Sequence, residues 1–168
     1  GQGRMGMKQP KEKTAEEAYA ALADRCAKAE LCPADAQRLL LRWKVAPEEG
    51  ERIVARLTAE KFLDEERYAM AFVRDKLNFS GWGARKISDA LYRKRIPAPV
   101  IARAMEQTDP AGMREKLETA LRRKMKTVRA DGPRQLRDKL IRFGASRGFG
   151  LEEVIETVGR LVNDPEED

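Results

Sequence analysis

The chain has 168 residues, 42% of them hydrophobic and 37% charged, and carries a net charge of +6 at pH 7. That length makes one compact domain or a short array of small ones, and aromatics at 6% argue against an aromatic-rich sheet core. There is no histidine, which removes the commonest general base and the commonest metal ligand together.

Cys26 and Cys32 are the two cysteines. With no signal peptide read ahead of them, a disulfide is not expected and a reduced, cytoplasmic protein is. The apolar runs fall short of the roughly 18–20 residues a membrane span needs. Ala, Leu, Glu, Lys, Arg and Met dominate while β-branched residues are sparse, so an all-α fold is predicted.

Residues 1–13, rich in glycine and without apolar periodicity, are expected to form a disordered tail. A first repeat is predicted over 14–61. Thr14 and Glu17 fit a capping box, and Ala18, Tyr19, Leu22, Ala23, Cys26 and Ala27 recur on one helical face. Pro33 opens a second helix with Leu39, Leu40 and Trp43 inside, and Pro47 opens a third with Ile53, Val54 and Leu57 inside.

A second repeat over 62–108 follows the same plan. Asp64 caps its first helix, Glu65 and Glu66 suit the positive helix start, and Tyr68, Ala69, Phe72, Val73 and Leu77 form the stripe. Gly81-Trp82-Gly83 makes a turn into a helix buried through Ile87, Ala90 and Leu91, and Val100, Ile101, Ala104 and Met105 mark a short third helix. A third repeat over 109–162 begins with a long helix of about 20 residues, roughly 30 Å, faced by Leu117, Ala120, Leu121, Met125 and Val128. Leu136, Leu140 and Phe143 line the next, and Leu151, Val154, Ile155, Val158 and Leu161 the last. Residues 163–168 are an acidic tail. Self-similarity at this spacing predicts an elongated tandem array of three three-helix repeats.

Asp64, Glu65 and Glu66 are three consecutive acids, whereas metal-dependent phosphodiester cleavage needs carboxylates converging from separate elements. A helix cap accounts for them. Trp82 is either a base-stacking platform or a joint between helices, and the joint is preferred. No phosphate-cradling GxxxxGK[ST] or GxGxxG occurs, so nucleotide hydrolysis is not expected. Neither catalytic residues nor a cofactor nor a metal site is predicted.

Charge is the stronger signal. From Gly148 onward seven acids face one base, and between Gly83 and Arg147 eighteen Lys/Arg face seven Asp/Glu. Lys86 and Arg93 share a helical face, as Arg85 and Lys94 flank it; Arg122, Lys126 and Arg129 are expected along one edge of the long helix beside Arg123. Arg134, Arg137, Lys139 and Arg142 crowd the next helix. Such faces neutralise backbone phosphates and release counterions, so these twelve residues are the candidate nucleic-acid-binding set. Phosphate contacts position a protein without reading bases, so little sequence preference is expected. A sequence-specific helix-turn-helix regulator and a helical protein–protein scaffold are the competing classes.

FLDEERYAMAFVRDK, GWGARKISDAL and KRI, within residues 62–96, closely resemble the central signature of the RecX family of bacterial regulatory proteins. The matching positions are Leu63, Asp64, Glu65, Arg67, Tyr68, Ala69, Gly81, Trp82 and Gly83. RLLLRWKV at 38–45, RLTAEKF at 56–62 and LRDKLIRFGASRGF at 136–149 fit the flanking repeats, while Ala84 stands where the family often has proline. The resemblance implies three tandem three-helix repeats. It also implies a non-enzymatic modulator, usually an inhibitor, of the RecA recombinase. Such a protein binds RecA filaments and single- and double-stranded DNA and bears on recombination, DNA repair and the SOS response. A monomer is expected.

Overall fold

Nine α-helices account for most of the residues that the structure, a computed structural model, describes, namely 12–162. No strand occurs among them, and the fold is all-α. In chain order these are α1 (Ala15–Lys28), α2 (Pro33–Arg42), α3 (Pro47–Ala59), α4 (Glu65–Asp75), α5 (Ala84–Arg93), α6 (Ala98–Met105), α7 (Pro110–Met125), α8 (Pro133–Ser146) and α9 (Leu151–Leu161). They read as three successive groups of three.

The helix starts follow from local chemistry. Thr14 Oγ1 accepts from the Glu17 N–H at 3.2 Å while Glu17 Oε1 accepts from the Thr14 N–H at 2.9 Å, so two otherwise unpaired donors are satisfied reciprocally. Asp64 Oδ1 accepts from the Arg67 N–H at 3.0 Å. Asp109 does the same for Gly112 at 3.1 Å. Proline occupies the first or second position of α2, α3, α6, α7 and α8, where a missing N–H costs nothing.

The helix stops repeat as well. After α2, Lys44 turns left-handed (φ 59°) and Val45 donates its N–H to Leu40 O at 3.0 Å. After α5, Arg95 (φ 61°) and the Ile96 bond to Leu91 O at 3.2 Å do the same. After α8 it is Gly148 (φ 94°) and Phe149 to Gly144 O at 3.2 Å. Each is a Schellman-type stop, in which the left-handed residue is followed by an apolar one that returns to the helix. Val45, Ile96 and Phe149 are all buried.

By packing, the chain forms two compact units, one ending at Tyr68 and the other beginning at Ala69. The first centres on Ala18 and Leu22 of α1, Ala36, Leu39, Leu40 and Trp43 of α2, Ile53 and Leu57 of α3, and Leu63. Each fully buried leucine there contributes about 2 kcal/mol relative to an exposed one. Arg67 ties this unit together, its guanidinium donating to Glu30 at 2.7 Å and to the carbonyls of Lys61 and Phe62. The second unit buries Val73, Ile87, Leu91, Ile96 and Ala104. Its later helices close on Met113, Leu117, Leu121, Leu140, Phe149, Val154, Val158 and Val162.

Four expectations are corrected. Lys13 donates its N–H to Trp43 O at 3.1 Å and sets its ammonium 5.1 Å from the Trp43 ring, so the chain is anchored ahead of Thr14. The remainder of that expected tail, residues 1–11, and the acidic end, 163–168, lie outside the described residues. The long helix spans 16 residues rather than about 20. Beyond Met125, Lys126 and Thr127 bond back only three residues and the Thr127 hydroxyl takes the Lys124 carbonyl, a local bond that competes with helix continuation. The stripe of α4 continues from Asp75 into a π-turn, Lys76–Ser80, which ends at left-handed Gly81 (φ 65°). Finally, Leu151 and Ile155 are 51% and 50% exposed. The core face of α9 is centred on Val154 and Val158, with Thr157 also buried, and Ile155 lies about 100° around the helix from Val154.

Candidate nucleic-acid interface

The charge is divided between the two units. Residues 1–68 hold 13 Lys/Arg and 13 Asp/Glu, residues 69–147 hold 20 and 8, and residues 148–168 hold 1 and 7, so the excess of cations lies in the 69–147 part of the second unit. In the first unit the cations sit beside acids at helical spacing, as in Arg38–Asp35 at 3.1 Å, Lys28–Asp24 at 3.1 Å and Arg56–Glu60 at 3.5 Å. All twelve candidate binding residues fall in the second unit.

On α5, Arg85 and Arg93 are exposed, Lys86 is half-buried, and Lys94 is half-buried at the helix end. The start of α5 docks on the stop of α8. Gly83 donates to Arg147 O at 2.7 Å and Arg85 donates to Gly148 O at 3.1 Å. A Cβ on Gly83 would lie 2.5 Å from the Gly148 carbonyl, and one on Gly148 would lie 2.3 Å from Lys86 Cβ. Both glycines are therefore fixed by backbone approaching backbone. The ammonium of Lys86 reaches Ser146 O at 3.5 Å and lies 4.7 Å from the Trp82 ring centroid. Lys76 lies 4.5 Å from the same ring, and Phe72 meets it edge-on at 6.4 Å. Trp82 is thus a joint residue with two cations and an aromatic edge around it.

On α7, Arg122 pairs with Glu118 at 3.2 Å, and Glu118 also reaches Arg160 at 3.4 Å. Arg123 and Lys126 are exposed. Because α7 ends at Met125, Arg129 is in the following loop and not on the edge it was expected to share with Arg122 and Lys126. Its carbonyl instead accepts from the Lys139 ammonium. On α8, Arg134 and Arg142 are exposed and Arg137 and Lys139 are half-buried.

The sequence reading missed a groove of about 890 Å³ within this unit. The π-turn, α7 and the end of α8 line it, with Phe79, Lys116, Arg123, Lys124, Phe143 and Arg147 contributing side chains. Lys116 donates to Leu77 O at 3.2 Å and Arg147 to Ser80 O at 3.0 Å, so two cations hold the π-turn by its carbonyls. Lys124 and Arg147 lie 5.3 and 5.0 Å from the Phe143 ring. Phe79 is 84% exposed. The one sequence cue was an aromatic immediately ahead of Ser80-Gly81 with no place in the apolar stripe.

No group of three or more acidic or cysteine side chains that could hold a metal occurs among the described residues. The Cys26 thiol is pushed up by burial and then by the Glu30 carboxylate, with Arg67 opposing. No helix among the described residues is long and apolar enough to cross a membrane.

Residues 64–105 match the family model described as RecX, second three-helix domain. The chain is 32% identical over 124 residues to the regulatory protein RecX of Pseudomonas entomophila, covering 73% of this chain and 76% of that protein. It is 27% identical over 110 residues to the regulatory protein RecX of Oceanobacillus iheyensis, covering 66% of this chain. The chain spans less than two thirds of the length of several relatives it matches, and only 40% of the Oceanobacillus protein. A crystal structure of regulatory protein RecX superposes with a TM-score of 0.77 at 20% identity, over 92% of this chain and 73% of that one.

Proposed function

Since this chain belongs to the RecX family of regulatory proteins, we propose that it is a non-enzymatic modulator of the RecA recombinase. In this reading it binds the RecA–DNA filament and DNA, inhibits filament activity, and so regulates recombination, DNA repair and the SOS response. The division into repeats at 14–61, 62–108 and 109–162 belongs to the same proposal, as does a monomer acting in the cytoplasm.

The observation that carries it is the basic surface of the second unit. Arg85, Arg93, Arg123, Lys126, Arg134 and Arg142 are exposed there, on a segment where Lys and Arg outnumber acids by 20 to 8. A polyanion matches that surface, and phosphates are the polyanion that regularly spaced helical cations neutralise. Contacts of this kind fix position and carry no base information, which suits a partner that coats DNA of any sequence.

The test is to add the chain to RecA on single-stranded DNA and follow ATP hydrolysis. Inhibition that saturates near stoichiometry is the expected result. Unchanged hydrolysis at stoichiometric protein would remove the proposal.

A further inference from the structure

We infer that the groove between the π-turn, α7 and the end of α8 holds a segment of single-stranded nucleic acid, with Phe79 as the surface on which a base stacks. The assignment rests on the nucleic-acid half of the preceding reading and gives it a place and a strand preference.

Four cations and one acid, Glu115, line the groove. Lys116 and Arg147 spend donors on the carbonyls of Leu77 and Ser80. Arg123 has no acid partner among the described residues and lies exposed at the groove edge. Lys124 extends over Phe143. The groove thus offers positive charge along its α7 side and an aromatic ring at its mouth.

Phe79 decides the class of ligand. A phenylalanine left 84% exposed gives up the burial that normally stabilises it. It sits on the π-turn that follows α4, a geometry frequent at functional sites. Two cations brace that turn, so the ring is presented from a fixed backbone. Trp82, by contrast, already has Lys76, Lys86 and Phe72 around its ring, and of the two aromatics lining the groove, Phe79 and Phe143, Phe79 is the exposed one. An aromatic face next to a cationic track is what single strands use, because unpaired bases expose π-faces that a duplex keeps stacked inside. An acidic peptide would satisfy the cations but would leave the ring without a planar partner. The exposed cations Arg123, in the last turn of α7, and Lys126, just past its end, also suit a polymer that continues beyond the groove.

The test uses the whole chain, a labelled oligothymidylate, a duplex with the same label, and polyglutamate as competitor. Phe79→Ala should weaken single-strand binding roughly 5- to 150-fold, the usual range for losing one stacked base, and change duplex binding less than about twofold. Phe79→Leu keeps an apolar side chain without the ring and should lose nearly as much, whereas Phe79→Tyr should bind like the parent. Arg123→Gln should lower the salt slope for the single strand by about 0.7. Circular dichroism should be unchanged in each, since both side chains are exposed.

Alanine or leucine variants that bind the single strand within about twofold of the parent would overturn the assignment. So would equal losses on strand and duplex. Polyglutamate competing as well as the oligonucleotide at equal charge would reassign the groove to an acidic protein. Single-strand binding that depends on Phe79 stands even if RecA hydrolysis is unaffected, so this inference and the RecA proposal fail separately.

Discussion

The turn after α2 and the turn after α8 are the same device in two settings. Both stop a helix with a left-handed residue and a buried apolar one, Lys44-Val45 in the first unit and Gly148-Phe149 in the second. In the first, a lysine adopts φ 59° and its side chain runs out to Glu12 at 3.5 Å. In the second, the α5 backbone lies where a side chain would begin. The dihedral alone therefore does not demand glycine, since Lys44 and Arg95 manage without it. The contact demands it. The stop in the first unit takes the Lys13 N–H on Trp43 O, whereas the stop in the second receives the α5 backbone at a distance that only glycine allows.

Charge separates the same two regions. The first unit holds equal numbers of acids and bases, many of them in pairs a turn apart on one helix, and such pairs leave little field for a partner. The second also contains such a pair, Arg122–Glu118, but between residues 69 and 147 its 20 bases outnumber 8 acids, and Arg85, Arg93, Arg123, Lys126, Arg134 and Arg142 are exposed. The largest effect expected from this contrast is in salt dependence. Affinity for DNA should fall by roughly 10³-fold between 50 and 200 mM salt if six or more phosphates are engaged, equivalent to about 4 kcal/mol. Reversing Arg122, Arg123 and Lys126 to Glu should weaken binding and flatten that slope. Reversing three exposed cations of the first unit, Arg25, Arg42 and Arg52, should leave binding within about twofold. Titrations by fluorescence anisotropy decide it. Equal losses in the two triple variants would erase the distinction between the units.

Next in size is the docked glycine. Gly148→Ala places a methyl 2.3 Å from Lys86 Cβ and 2.6 Å from its backbone nitrogen, at a φ of 94° that alanine resists. Left-handed strain and overpacking together should destabilise the second unit by about 3 kcal/mol. Hydrogen exchange should show amides of α5, α8 and α9 losing protection while those of α1–α3 keep theirs. Unchanged protection in α5 would mean that the contact is not a support.

These features were unequally visible in the sequence. The Thr14–Glu17 box and the Asp64 cap involve residues three apart, so residue type and spacing alone reveal them. The joint role of Gly81-Trp82-Gly83 was legible as a turn, but its partner lies at Arg147-Gly148, and no local pattern connects positions so far apart. The π-turn has no compositional signature, since an i→i+5 bond uses the same residues as an α-helix. Phe79 went unnoticed for a related reason. One exposed aromatic does not disturb a stripe that continues through Leu77. Arg129 was misplaced because charge spacing was extended along a helix that stops four residues earlier, at Met125. The basic character of the second unit was legible from composition. Which cations remain available was not, because that depends on neighbours such as Glu118 and on carbonyls such as that of Ser80.

The smallest effect tests the other side of the two turns. At Lys44 nothing but the dihedral argues for glycine, so Lys44→Gly should relieve left-handed strain of roughly 1.5 kcal/mol. Two terms oppose it. Glycine gains freedom in the unfolded chain, and the exposed pair with Glu12 is lost, worth at most a few tenths of a kcal/mol when both partners are solvated. The net should be a stabilisation of about 0.5 kcal/mol, seen as a small rise in the unfolding midpoint with no change in DNA affinity. Its sign is opposite to that of Gly148→Ala, although the two positions are equivalent in the repeat. Lys44→Gly lowering the midpoint would show that Lys44 makes a contact in the first unit comparable to the docking at Gly148. The two turns would then differ only in which neighbour they serve.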